Sequence, residues 1–530
     1  MRRRGSITLF LAMLLTCFFS AVFAFLEAAR VSGLKANSQI STMQAADTVM
    51  ASYNQALWGN YHLLFWQAPE GDFPDLDALE SLQQDAIEGN QTSSALLQKN
   101  YYMLQVHLAE VTTSSYQLAT DDGGIAFREE AAEMMKYTVG EEAVSAMLAW
   151  VTGEEAAEES QTDLESEAID ALEELEAAVS ADEASSAAGE GSSAETSSDS
   201  GTSGTADVSS AAGTENTETA AGGSSSESIE ASTTESAAAG VSITENPLAW
   251  VKKMKKNGVL AFVMQEESIS QKSIDTSTCI MNRTLESGNM AVSTTQTSIE
   301  KMLFYLYLDH YYTDASEESA DHVLDYELEY MIAGKDGDQE NLKAVVRRLL
   351  LMREVTNLAY LESNAEKQQE AAAVAAALTL AVGHPELEPL VKQGILAAWA
   401  YAESLSDVRI LLEGGKVTLV KTSSQWHTEL TNLSTTVFST SGKDQTEGLT
   451  YANYLVLLMW ATSDEKLSQR AMDMIEKNED VRMDQMICRA QCVYVYEASP
   501  LFWNFVTLGQ NSFGTYQFQD QTGISFPGSG

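Results

Sequence analysis

Positive charge, histidine, cysteine and proline are all scarce in this sequence. Lys and Arg number 31 against 77 Asp and Glu, a formal net charge of -46, which excludes nucleic acid and anionic lipid as partners of the soluble part. The four cysteines, Cys17, Cys279, Cys488 and Cys492, are too few and too scattered for a disulfide framework. Cys17 sits in an apolar run, and Cys488 and Cys492, four apart in what reads as a helix, are taken as buried thiols. The six histidines (His62, His107, His310, His322, His384, His427) fall in no zinc-type spacing, and there is no Gly-rich phosphate loop and no Gly-x-Ser-x-Gly elbow. Asp309-His310 and Asp321-His322 are the best remaining metal pair, yet such dipeptides arise by chance in so acidic a chain. No catalytic, cofactor-binding or metal-ligating residue is assigned, no cofactor is expected, and a non-enzymatic protein is.

What the sequence does have is one long hydrophobic run. Ile7 to Leu26 is interrupted only by Thr8, Thr16 and Ser20, and its 20 residues reach roughly 30 Å as a helix, enough to cross a bilayer. The next apolar run, Ala371 to Gly383, has 13 residues and reads as a core helix closed by Gly383 and Pro385. Arg2, Arg3 and Arg4 precede the first run, so the positive-inside bias predicts a single-pass cell-membrane protein with its N-terminus cytoplasmic and its body extracytoplasmic. Val22-Phe23-Ala24 offers an alternative signal-peptidase site between Ala24 and Phe25, although the apolar core is long for that class. No Gly or Pro follows until Gly33. Glu27 and Arg30, three apart on one helix face, are candidates for a juxtamembrane assembly pair. Beyond them Leu34, Ile40, Met43, Ala46, Val49 and Met50 recur at near-helical spacing, so the span is expected to continue outside as one helix.

The basic leader, Gly5-Ser6, the apolar span, Leu26-Glu27-x-x-Arg30 and Gln44-Ala45-Ala46-Asp47 together resemble the N-terminus of Tad-type (tight adherence) pseudopilins and TadE/TadG-like proteins. Further blocks resemble an uncharacterised Gram-positive envelope family with the same start. They include Leu350-Leu351-x-Arg353-Glu354-x-x-Asn357, Trp399-Ala400-Tyr401-Ala402-Glu403-Ser404-x-x-Asp407-Val408-Arg409, Gly415-Lys416-Val417 and Leu449-Thr450-Tyr451-x-x-Tyr454-Leu455. The resemblance implies prepilin-type processing at Gly5-Ser6 and pilus-like partner subunits met through the N-terminal helix. Five residues after Gly5, where a prepilin carries Glu, this chain has Phe10, which implies a minor component rather than the filament polymer. The expected function is therefore a membrane-anchored structural or assembly component of Tad or type II secretion-like machinery. A single-pass ligand-binding or sensory ectodomain is the alternative, and an exported enzyme comes after it.

The fold class expected is mainly α with a minor β part. Residues 1–6 are the leader, 7–26 the span and 27–150 a helical region in which "SALLQKNYYMLQVHLAEVTT" reads as helix. Residues 151–246 hold 23 Asp and Glu and no Lys or Arg, and their Ser, Thr, Gly and Ala-rich part buries too little apolar surface to fold; this is read as a disordered acidic linker. Residues 247–440 are read as a helical domain, with Asp338 capping a helix in preference to completing the calcium-loop fragment Asp336-Gly-Asp338-x-Glu340, and Pro389 in the first turn of another. The region 441–530 is α+β: "GGKVTLVKTSSQW" just before it enters a strand, and Tyr516-Gln-Phe518-Gln alternates as an edge strand or hairpin would.

Overall fold

The computed structural model describes residues 4–67, 76–93, 103–138, 246–257, 260–264, 269–291, 296–316, 322–382, 385–439, 447–502 and 514–526. Residues 151–245 of the acidic linker, Asp321 and His384 lie outside the described residues.

Helix α1 (Arg4–Ala51) is unbroken over 48 residues, about 72 Å at the usual rise per residue. Its two halves meet different surroundings. Ile7 to Phe19 are exposed throughout, and this is one helix long and apolar enough to cross a membrane. From Glu27 onward a single stripe is buried: Glu27, Arg30, Leu34, Ser38, Ser41, Thr42, Ala45, Ala46 and Val49, spaced three or four apart as one helix face requires. Ile40 and Met43 point away from it and stay exposed.

The stripe packs with α3 (Leu76–Ser93) on one face of an antiparallel sheet. The central strand β3 (Met486–Ala498) pairs along one side with β2 (His107–Leu118) and along the other with β1 (Trp66–Gln67) and then β4 (Tyr516–Ser525). Ala490, Cys492, Tyr494, Tyr496 and Ala498 alternate inward, as the period of two demands. Tyr496 shares a 2.9 Å hydroxyl contact with Thr42 of α1, and Tyr494 donates to Gln83 of α3. Ser38 of α1 reaches Asp520 of β4 at 2.5 Å. The first core thus joins the N-terminal helix to the last strand.

Three local readings on the strands and their neighbours are corrected here. Residues 107–118 form a strand rather than helix; Val111, Thr112 and Thr113 suit it, and its exposed positions include the polar His107, Glu110 and Ser114, while Tyr116 to Leu118 are buried. Cys488 and Cys492 lie on β3, roughly 13 Å apart at strand rise, and both are free. The segment after Gly414 makes only an isolated bridge, Val417 to Leu449, before turning inward. Tyr516 to Ser525 is the edge strand expected.

The second core is helical. It packs α2 (Gln55–Tyr61), α4 (Asp121–Thr138), α5 (Pro247–Asn257), α6 (Ser298–Tyr311), α7 (Glu327–Ala333), α8 (Asp338–Ser363), α9 (Ala365–Val382), α10 (Glu388–Leu412), α11 (Tyr451–Trp460) and α12 (Asp464–Glu479). Asp338 does not cap its own helix, whose N-cap is Gly337; its carboxylate accepts Ser270 Oγ (2.7 Å) and the amides of Asp325 (2.9 Å) and Tyr326 (3.3 Å). Pro389 does sit in the first turn of α10. At the start of α4 the chain turns through left-handed Asp122, Gly123 and Gly124, and a Cβ on Gly124 (φ 80°) would meet Met472 Cε at 2.9 Å. Gly124→Ala is expected to cost about 1–2 kcal/mol from the backbone alone, read as a lower urea midpoint; an unchanged midpoint would count against this turn geometry.

Candidate functional site

The residues of the sequence that invite a chemical reading converge in one place, between α8, α10, the loop 415–428 and α11. Helix α10 is apolar on most of its buried surface, so Glu403 and Asp407, one turn apart and both fully buried, demand cations. Arg353 of α8 and Lys421 of the loop supply them.

Arg353 donates from Nε to Asp407 Oδ2 (3.0 Å) and from Nη1 to the carbonyls of Thr418 (3.0 Å) and Leu419 (2.8 Å). Its Nη2 reaches Asp407 Oδ2 (3.0 Å) and Asn357 Oδ1 (3.3 Å). Asn357 Nδ2 in turn donates to Asp407 Oδ2 and Ser404 Oγ, both at 3.0 Å. The Lys421 ammonium lies between Glu403 Oε1 and Asp407 Oδ1, 2.5 Å from the latter. Glu403 also accepts the amide of His427 (3.0 Å), and its Oε2 accepts the amide (2.8 Å) and hydroxyl (2.7 Å) of Thr428. Trp399 Nε1 closes the network by donating to Thr428 Oγ1 at 3.0 Å. Two cations thus face two carboxylates, with nearly every polar valence filled.

The titration behaviour follows. Burial alone would raise the Glu403 carboxyl, but the Lys421 ammonium and the His427 contact outweigh it and hold the group well below the usual range. Burial works to lower Arg353, and Asp407 more than offsets it. Burial pushes the Tyr454 hydroxyl up to about 12.

Glu403, Asp407 and His427 each bring a ligand-type atom within 4.8 Å of the others. They do not fit a metal, because the Lys421 ammonium already stands between both carboxylates and would have to be expelled with its charge. Among the described residues no other His, Cys, Asp and Glu set gathers in this way, and the sequence candidates His310 and His322 are not part of one. His310 is exposed with its ring against Tyr311, whereas His322 Nδ1 lies 3.1 Å from Glu327, whose carboxylate raises the imidazole.

The N-terminal candidates are placed as follows. Gly5 and Ser6 lie in the first turns of α1; Ala24 and the 77 % exposed Phe25 lie inside the same helix. Glu27 and Arg30 form an ion pair at 3.0 Å, buried under their own chain. Glu27 accepts the amides of Leu501 (3.3 Å) and Phe502 (2.8 Å), and Arg30 Nε donates to the carbonyl of Met103.

Sequence reading missed Lys421, His427 and Thr428, which sit in irregular chain. The signal was on α10: two acids spaced by four on a helix otherwise lined by Trp399, Ala400, Ala402 and Leu411 imply a buried cation brought from elsewhere.

No curated protein and no solved structure matches the chain. Nothing in the comparisons connects it to Tad-type pilins. Residues 239–498, which contain the whole Arg353–Glu403–Asp407–Lys421 network and end with β3, match a family of unknown function, DUF5702.

Proposed function

We propose that this chain is a non-enzymatic, single-pass membrane component of an extracytoplasmic assembly, with the body outside and the basic leader inside. The observation that carries the reading is α1: the apolar half is bare, the outer half is welded to the sheet, and no hinge separates them. A simple tether needs no such coupling. A subunit that packs laterally through its membrane helix does, because any shift of the helix is then passed rigidly to the ectodomain. The buried charge network supports a structural role for the body, since Glu403 and Asp407 are neutralised and enclosed rather than presented to a substrate.

The finer reading is a minor pseudopilin-like subunit of Tad or type II secretion-like machinery, supported by the N-terminal resemblance alone. Intact-mass and N-terminal analysis of the protein from membrane and sheared surface fractions tests both levels. A start at Ser6 is expected. An intact Met1 confined to membranes would remove the pilin-like reading and leave the anchor, and a start at Phe25 would remove the anchor as well.

A further inference from the structure

We propose that the ectodomain contacts the bilayer directly, through an apolar collar around the point where α1 leaves the membrane; this rests on the membrane reading of α1 given above. The collar is built from three separate stretches. On α1 itself Phe25 and Leu26 are 77 % and 44 % exposed. Just before β2, Met103 and Leu104 are 53 % and 37 % exposed, although each is tied to α1 through its backbone: Arg30 donates to the Met103 carbonyl and Asn37 Nδ2 to that of Leu104 (3.0 Å). After β3, Phe502 stacks on Phe23 with ring centroids 6.1 Å apart and planes 17° apart.

The first two stretches turn polar groups inward and leave large apolar side chains outward, and the third sets a half-buried Phe502 against a half-buried Phe23. Glu27 takes the amides of Leu501 and Phe502 as well as Arg30 Nη1, so both charges at the end of the span are satisfied within the protein. Gly33 lets Leu104 lie against the helix, since a Cβ there would fall 2.6 Å from Leu104 Cδ2. A soluble surface would be expected to invert this pattern, with charge outward and the large side chains tucked in.

The occupant follows from continuity. The exposed Phe25 and Leu26 stand within two helical turns of the exposed run Ile7 to Phe19, with Ser20, Val22, Phe23 and Ala24 half-buried between them, so a bilayer that solvates the run reaches the collar next. Arg30, where Met103 is tied, lies four residues beyond Leu26, and Gly33, under Leu104, lies seven beyond it, about 6 and 10 Å along the helix. The first height falls in the headgroup layer, roughly 5–8 Å deep on each side, where aromatic and apolar side chains anchor proteins at membrane surfaces, and the second falls just beyond it. The consequence is a sheet standing at a fixed height and tilt above the lipid.

The test uses the full-length chain in liposomes of neutral phospholipid, with Cys17→Ala removing the one exposed thiol. Spin labels are placed singly by Leu14→Cys in the span, Met103→Cys in the collar and Thr112→Cys midway along β2, all at exposed positions. Collision with oxygen and with a water-soluble nickel chelate reports depth. The expected order is Leu14 deepest, Met103 at the interface with oxygen collisions favoured, and Thr112 in water. A Met103 label as water-exposed as Thr112, with Leu14 still in lipid, would overturn the collar and spare the membrane reading. A Met103 label shielded from both reagents would assign the collar to a second copy of the chain and likewise overturn the proposal. A Leu14 label in water would remove the membrane reading itself.

Discussion

Arg353→Met is expected to destabilise the helical body by about 3–5 kcal/mol, the cost typical of removing one partner from a buried ion pair. The guanidinium is fully buried and holds Asp407, Asn357 and the carbonyls of Thr418 and Leu419 at once, so its loss leaves Glu403 and Asp407 to share the single Lys421 ammonium and strands two backbone acceptors. Methionine fills most of the volume, which keeps the cavity contribution small. The readout is the urea midpoint of the full chain. A second substitution in the same molecule, Asp407→Asn, removes the excess negative charge and is expected to recover part of the loss, because the two residues share one network and their effects are not additive. A loss below 1 kcal/mol, or no recovery in the double variant, would show that Arg353 and Asp407 are not coupled as described. Lys421→Met is expected to act in the same direction through Glu403 and Asp407.

The same residues explain what could be read beforehand. The long apolar helix, its continuation beyond Leu26, the Pro389 start of α10 and the β4 edge strand were all legible because each rests on a local pattern: an apolar run, a 3.6-residue stripe, a proline at a helix start, a strict alternation. Even on α1 the pattern was partial. Leu34, Ala46 and Val49 face the core as their spacing predicts, but Ile40 and Met43 do not, and the buried face is completed by Ser38, Ser41 and Thr42, which composition alone would send to solvent. Cys488 and Cys492 illustrate a real ambiguity. Residues four apart share a face in a helix and in a strand alike, so their spacing carries no information about which is present. Residues 107–118 failed for a different reason: the strand is recruited by β3, nearly 400 residues later in sequence, and that partner is invisible locally. Asp338 sits where a helix cap is expected, yet Gly337 takes the cap and the carboxylate serves Ser270, Asp325 and Tyr326 instead. For the charge network, four short blocks of sequence could be recognised, but only tertiary structure brings them together around Lys421.

The second large effect is on pH dependence. Burial, reinforced by the charge of Asp314, pushes the Glu329 carboxyl up to about 8 against hydrogen bonds from Tyr451 and Ala315 that favour its charged form. Burial likewise raises Glu130 to about 8 and Asp473 to about 6. In all three the folded state binds the proton more tightly than the unfolded chain does. Their contribution to stability is therefore fully present below the ordinary carboxylate values near 4 and is lost as pH rises toward 8. Glu403 runs the other way: its stabilisation is present above the ordinary value and lost as pH falls through its depressed one. The urea midpoint is expected to peak near pH 5 and to fall by pH 8.5, with Glu329 alone contributing on the order of a few kcal/mol. Glu329→Gln keeps an acceptor for the Tyr451 hydroxyl and the Ala315 amide but carries no charge, so it should flatten the profile between pH 5 and 8.5 and raise the midpoint at the alkaline end. A variant whose profile stays parallel to that of the unsubstituted chain would place the titrating proton on another group.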